Sequence, residues 1–256
     1  MSSEKHTAEQ QARLENYKKL LQPIGEAPAR APDWIIPGLI QPGLMFLVGA
    51  ARTYKSTLAL HIAAAITRGI EVDPAHQAPK LRGSVIYFPA EQSAGRLRHI
   101  YETRVLGYKI TDPTINWDFT IARNPWDWKL DEPKPGFNLL ELVTDLNPTL
   151  LILDPLIHFH HCDENDPHIV GHIVPLKQAM AQRNGCILLI HHARKNRRMQ
   201  KATDDDEDWD MMRGSSAMWA AADGGIMVRR MKTGGGITLR TDFKDHPGSI
   251  WTWRPK

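Results

Sequence analysis

Residues 44–67 read LMFLVGAARTYKSTLALHIAAAIT: an apolar run, a short loop, then Lys55-Ser56-Thr57 at the head of an amphipathic helix. A buried strand that turns tightly into a helix presents free backbone N–H groups where the helix begins. Those donors and the helix dipole favour phosphate oxygens. The spacing follows the phosphate-binding loop G-x-x-x-x-G-K-[ST] with one break. Gly49 fills the first glycine, Lys55 the lysine and Ser56 the hydroxyl, but Tyr54 stands where the second glycine belongs. Glycine there lets the backbone approach a phosphate and adopt angles that a side chain resists. Tyr54 therefore weighs against efficient hydrolysis more than against nucleotide binding. The loop Gly49, Ala50, Ala51, Arg52, Thr53, Tyr54, Lys55, Ser56 and Thr57 is the expected nucleotide cradle. Lys55 reaches the terminal phosphates, Ser56 ligates Mg²⁺, and Thr57 packs toward the sheet.

The rest of the chain repeats the strand–helix alternation. Apolar runs at 45–48, 85–88, 150–153 and 187–190 are separated by helical patterns at 56–67, 93–106, 138–146 and 169–182. Alternation of this kind implies an α/β fold with a mostly parallel central sheet flanked by helices. Near the C-terminus the pattern changes. Segments 225–231 and 237–243 flank a Thr-Gly-Gly-Gly turn and read as a β-hairpin, with 250–253 a further strand. At the other end, 8–21 reads as a helix with Leu14, Tyr17 and Leu21 on one side, followed by a Pro/Ala-rich link. The expected division is a helical arm and linker over 1–25 and an ATPase core over 26–256. The arm's apolar stripe lies either on its own domain or on a neighbouring subunit.

Two carboxylates stand where such a fold needs them. Leu150-Leu151-Ile152-Leu153-Asp154 is a buried strand that delivers Asp154 to its C-terminal end, where ligands of open α/β sheets bind. We expect Asp154 to hold Mg²⁺ with Ser56, its strand lying next to that of the phosphate loop. Glu91 follows 85–90, VIYFPA. It is either a base that polarises water for phosphoryl transfer or a carboxylate satisfied by a helix N-terminus.

In combination these segments resemble the RecA-like hexameric helicases, most closely the plasmid RepA-type replicative group, over residues 34–228. The segments 85–91 (VIYFPAE), 153–160 (LDPLIHFH), 185–195 (GCILLIHHARK) and 213–217 (RGSSA) carry the resemblance through their order and spacing. It implies a RecA-like P-loop fold, ATP with Mg²⁺, a homo-oligomer forming a hexameric ring, and single-stranded DNA in the channel. It also makes Glu91 the catalytic base, and His191 or His192 the sensor of the γ-phosphate. A trans-acting cation is sought among Arg229, Arg230, Lys232 and Arg240.

Arg194, Lys195, Arg197, Arg198 and Lys201 cluster in the segment after the paired histidines, where they suit a DNA backbone. An acidic run over 204–210 follows. The alternative is a solvated charged loop. His158, His160, His161, Cys162, Asp163 and His168 fit no standard zinc spacing, so a loop facing DNA or a neighbouring subunit is the expectation. Trp117, Trp126 and Trp128 suit packing in a satellite core better than base stacking. Two cysteines without paired spacing, a charged N-terminus and no long apolar run imply a cytoplasmic protein with no membrane segment. The expected activity is an ATPase motor on single-stranded DNA, a replicative helicase of plasmid or phage type. The alternatives are an annealing or recombination ATPase and a nucleotide-gated DNA-binding module with little turnover.

Overall fold

A computed structural model describes residues 8–26, 34–72, 76, 78–107, 119–163, 166–193, 216–231 and 235–254. The chain divides into two compact units, Met1–Pro32 and Asp33–Lys256. The first contains α1 (Ala8–Leu20) and a 3₁₀ turn at Ile24–Glu26.

The second unit is built on one eight-stranded sheet. Its strands are β1 (Gly43–Gly49), β2 (Val85–Pro89), β3 (Phe119–Ile121), β4 (Leu150–Asp154), β5 (Cys186–His192), β6 (Gly224–Arg230), β7 (Ile237–Phe243) and β8 (Ile250–Trp253). They lie in the order β3-β2-β4-β5-β1-β6-β7-β8. The pairs from β3 to β6 are parallel, and β6-β7-β8 are antiparallel. This is the mostly parallel α/β sheet with a C-terminal hairpin that the alternation implies. Burial on both faces explains why the central strands are apolar throughout. In β1, β2 and β4 every residue is buried.

The two faces form separate cores. Alternate residues of β1 point in opposite directions, so Met45 and Leu47 join one cluster while Leu44, Phe46 and Val48 join the other. The first cluster takes α2 (Lys55–Arg68) through Leu58, Ile62 and Ile66, and α3 (Ala94–Ile100) through Leu97. The second takes α4 (Leu139–Leu146), α5 (Ile169–Ala181) and α6 (Ser216–Ala221) through Val143, Ile173 and Met218.

Local chemistry sets the helix ends. Gly69 closes α2 with φ 70°, and its N–H donates to Ala65. Ser93 caps α3 by accepting from the Arg96 N–H, and Asn138 caps α4 by accepting from Leu140 and Glu141.

Two expectations need correction. The helix predicted over 93–106 is α3 followed by a π-helical turn at Tyr101–Val105, which packs Tyr101 and Val105 against the first core cluster. The strand of Asp154 is not next to that of the phosphate loop: β5 lies between β1 and β4. Among the described residues, no helix is long and apolar enough to cross a membrane.

Candidate nucleotide site

The loop between β1 and α2 has an unusual backbone. Arg52 and Tyr54 both hold positive φ, 62° and 66°, and Tyr54 lies in the left-handed region with ψ 19°. Tyrosine thus adopts the conformation for which glycine is normally used, at a cost of about 1–2 kcal/mol. Alternating positive and negative φ is the geometry that gathers successive N–H groups into an anion-binding nest. Tyr54 is also the N-cap of α2, and its side chain makes no capping bond. The first-turn N–H groups of α2 are therefore left uncapped by it, as anion binding requires.

The Tyr54 ring packs against the first core cluster, and the Arg230 guanidinium stands 5.5 Å from its centroid. Gly49 is needed for a different reason. A Cβ there would come within 2.6 Å of the Val228 carbonyl oxygen and 2.8 Å of Thr53 Oγ1. The loop is closed further by the Thr53 hydroxyl, which donates to the Ala50 carbonyl at 2.8 Å.

Lys55 is folded back over this loop. Its Nζ donates to the carbonyls of Gly49 (3.0 Å) and Ala50 (2.9 Å) and lies 3.5 Å from His192 Nδ1. Burial lowers its pKa to about 8, against the opposing pull of the Asp154 and Glu91 charges. The neighbouring Ser56 hydroxyl donates to Asp154 Oδ2 at 2.7 Å. Thr57 is buried. Burial raises the Asp154 pKa, while hydrogen bonds from Tyr87 and Ser56 and the Lys55 charge oppose the rise. Ser56 and Asp154 are hard oxygen donors held together at the C-terminal end of β4. That donor set suits Mg²⁺, which binds through one or two carboxylates plus phosphate oxygens and water.

Glu91, just beyond β2, faces two imidazoles. Its Oε1 is 3.5 Å from His158 Nε2 and 3.9 Å from His192 Nε2. His192 thus stands between the lysine and the glutamate. Strand alternation separates it from His191. His191 pairs with Val48 in the β5–β1 register, and His192 pairs with Gly49. The His191 ring is buried on the opposite face, 6.4 Å from that of Phe46. Of the two expected sensors, His192 is the one whose ring lies against Lys55.

Of the other expected residues, Arg229, Arg230 and Arg240 are described. Arg229 and Arg230 alternate on β6, so Arg230 shares the face of Ile226 and Val228, where Tyr54 packs. Arg240 pairs with Met227, on the other face. Lys232, the basic residues Arg194, Lys195, Arg197, Arg198 and Lys201, the acidic run and segment 213–215 lie outside the described residues, as does Trp117. Trp128 packs on Phe88 and Phe137, at 5.2 and 5.5 Å between ring centroids, whereas Trp126 is exposed.

In the histidine-rich segment, the Cys162 thiol and the His161 N–H both donate to Asp131. His160 Nδ1 lies 3.0 Å from the Cys162 carbonyl oxygen. Among the described residues, no group of three or more His, Cys, Asp and Glu side chains could hold a metal ion. Two residues near the site are not assigned to it by sequence reasoning. His158 is grouped there with the other histidines. Tyr87 carries the one hydroxyl in β2, and that is the available signal.

The sequence profile of the AAA domain family matches residues 11–198. The chain belongs to that family. Three solved structures share the fold of this AAA domain. One, an ATPase domain, superposes with a TM-score of 0.60 at 10% identity, covering 97% of this chain and 95% of that one. A DnaB-like replicative helicase gives 0.58 at 10% identity, covering 94% and 64%. The KaiC-like protein PH0186 from Pyrococcus horikoshii OT3 gives 0.52 at 14% identity, covering 85% and 87%. At such identities the likeness establishes the architecture: this AAA domain has the RecA-like P-loop ATPase fold.

Proposed function

We propose that the chain is an ATP-hydrolysing motor that assembles as a hexameric ring and acts on single-stranded DNA, as a replicative helicase of plasmid or phage RepA type. The observation that supports this most is the convergence of Lys55, Ser56, Asp154, Glu91 and His192 on one loop from four separate elements. In this reading residues 49–57 cradle the phosphates of ATP. Lys55 leaves the loop carbonyls to meet the terminal phosphates, since a triphosphate offers its ammonium better acceptors. Ser56 and Asp154 would hold Mg²⁺, which would supply neutralisation of the developing phosphate charge.

Glu91 is the catalytic residue that orients and deprotonates the attacking water. His192 is placed to respond to the phosphate through Lys55 and to Glu91 through its other ring nitrogen. Loss of the γ-phosphate then alters the end of β5, from which the segment with Arg194, Lys195, Arg197, Arg198 and Lys201 continues to grip the DNA backbone. Arg229, Lys232 or Arg240 supplies the trans-acting cation, and Arg230, stacked on Tyr54 of its own subunit, is the least suited of the four. The arm over 1–25 is the segment outside the ATPase core.

The test is an ATPase assay with and without single-stranded DNA, a forked-duplex unwinding assay, and native mass with and without ATP. DNA-stimulated hydrolysis, unwinding and a six-subunit mass are the expected results. Hydrolysis with annealing but no unwinding indicates the recombination-type ATPase. A second reading rests on the strained Tyr54: a nucleotide-gated DNA-binding module that turns over little. It is the correct one if ATP binds and tunes DNA affinity without measurable hydrolysis.

A further inference from the structure

Tyr87 has no part in the mechanism above, yet it touches the centre of the site. It is fully buried in the middle of β2, with its ring edge-on to Phe119 at 6.3 Å. In the β2–β4 register it pairs with Ile152, two residues before Asp154. Its hydroxyl donates to Asp154 Oδ2 at 2.5 Å. The same oxygen accepts from Ser56 at 2.7 Å. A buried phenol needs an acceptor, and a main-chain carbonyl would satisfy it equally well. Here the acceptor is instead the carboxylate that closes the metal position. Two donors on one oxygen, one from β2 and one from α2, fix rotation about the Asp154 Cβ–Cγ bond. Oδ1 is left as the oxygen that neither donor engages.

We propose that Tyr87 is a positioning residue that sets the Mg²⁺ affinity of the site by locking the Asp154 carboxylate against Ser56. This rests on the reading of Ser56 and Asp154 as the metal position. Groups that hydrogen-bond metal ligands typically change metal affinity about 10–100-fold when removed. The ring's packing is separable from this role, because Tyr87→Phe deletes one oxygen and keeps the contact with Phe119.

The experiment titrates Mg²⁺ into the full chain bound to a fluorescent ATP analogue, with Mn²⁺ binding followed by electron paramagnetic resonance as a second readout. In Y87F the metal midpoint is expected to rise about tenfold or more, with metal-free nucleotide affinity unchanged. Tyr87→Leu also lacks the hydroxyl but packs differently. The same midpoint shift in both variants assigns the effect to the hydroxyl, whatever each does to stability. In an Asp154→Asn background, Y87F is expected to leave the midpoint where it is. A wild-type midpoint that neither Tyr87 variant moves overturns this inference alone, as does an undiminished shift in the Asp154→Asn background. A wild type whose nucleotide binding ignores Mg²⁺ overturns the metal-site reading and this inference with it.

Discussion

The Nζ of Lys55 and the Nδ1 of His192 lie 3.5 Å apart, although they come from a helix and from the strand beside its own. The far nitrogen of that imidazole is 3.9 Å from Glu91. Its neighbour His191 is buried on the opposite face. The adjacent histidines should therefore fail in opposite ways. His192→Ala should slow ATP hydrolysis and remove its stimulation by DNA, with a smaller loss of stability than at its fully buried neighbour. His191→Ala should cost about 1–3 kcal/mol of stability, because it empties a packed position beside Phe46. Denaturant unfolding and steady-state turnover on both variants check this. The reverse assignment would remove His192 from the site.

Glu91→Gln keeps the shape of the side chain and removes its basicity. Turnover should fall about 10²–10⁴-fold, while the dissociation constant for nucleotide stays within a few-fold of wild type. Half of the Glu91 side chain is exposed, so the substitution should leave the unfolding midpoint in place. Rapid-quench kinetics and nucleotide titration together read both quantities. A slowed variant that also loses nucleotide would instead make Glu91 a binding group.

Lys55 carries a pH signature. Burial brings its pKa to about 8, below the ordinary 10.5. Bound triphosphate favours the charged ammonium and raises the value again. At a pH near or above 8, binding should therefore take up part of a proton, and affinity should fall as pH rises. Well below pH 8 the amine is already charged and this linkage vanishes. Calorimetry in two buffers of different ionisation enthalpy measures the uptake directly. The sign for folding is the opposite of the usual ion-pair case. The cost of burying the charged lysine is fully present below about 8 and is relieved as pH rises toward 10.5. Lys55→Met should abolish both effects.

The fold was legible where burial leaves a local pattern. β1, β2, β4 and β5 are apolar on both faces, so each run of aliphatic residues betrayed a strand. β3 escaped because it is three residues long and only half-buried, and α6 because six residues give too little periodicity. Strand order was not legible. Parallel pairing is a long-range property, and nothing near Asp154 records that β5 intervenes before β1. The side of the sheet taken by each histidine follows from the same register: His192 pairs with Gly49 and His191 with Val48. Within the site, the loop, Ser56, Asp154 and Glu91 stood out through spacing. Tyr87 and His158 did not, because their contacts depend on which strands lie side by side.

Tyr54 is where local preference and architecture conflict, and a pair of substitutions separates the two. The ring gains packing on the core and a cation–π contact with Arg230, worth about 0.5–1 kcal/mol at exposed sites. The backbone at φ 66° costs a non-glycine residue about 1–2 kcal/mol. Tyr54→Ala loses the ring and keeps the strain. Tyr54→Gly loses the ring and the strain, while giving the unfolded chain about 0.4–1 kcal/mol of extra freedom. The glycine variant should therefore be the more stable of the two, by up to about 1.6 kcal/mol, although alanine is the better residue in most contexts. It should also bind nucleotide at least as tightly as wild type, since the nest is then free of a side chain that must be held aside. Denaturant unfolding of both variants, with a nucleotide titration, is the check. An alanine variant more stable than the glycine variant would show that the loop does not hold Tyr54 in the left-handed region, and the nest geometry would fall with it.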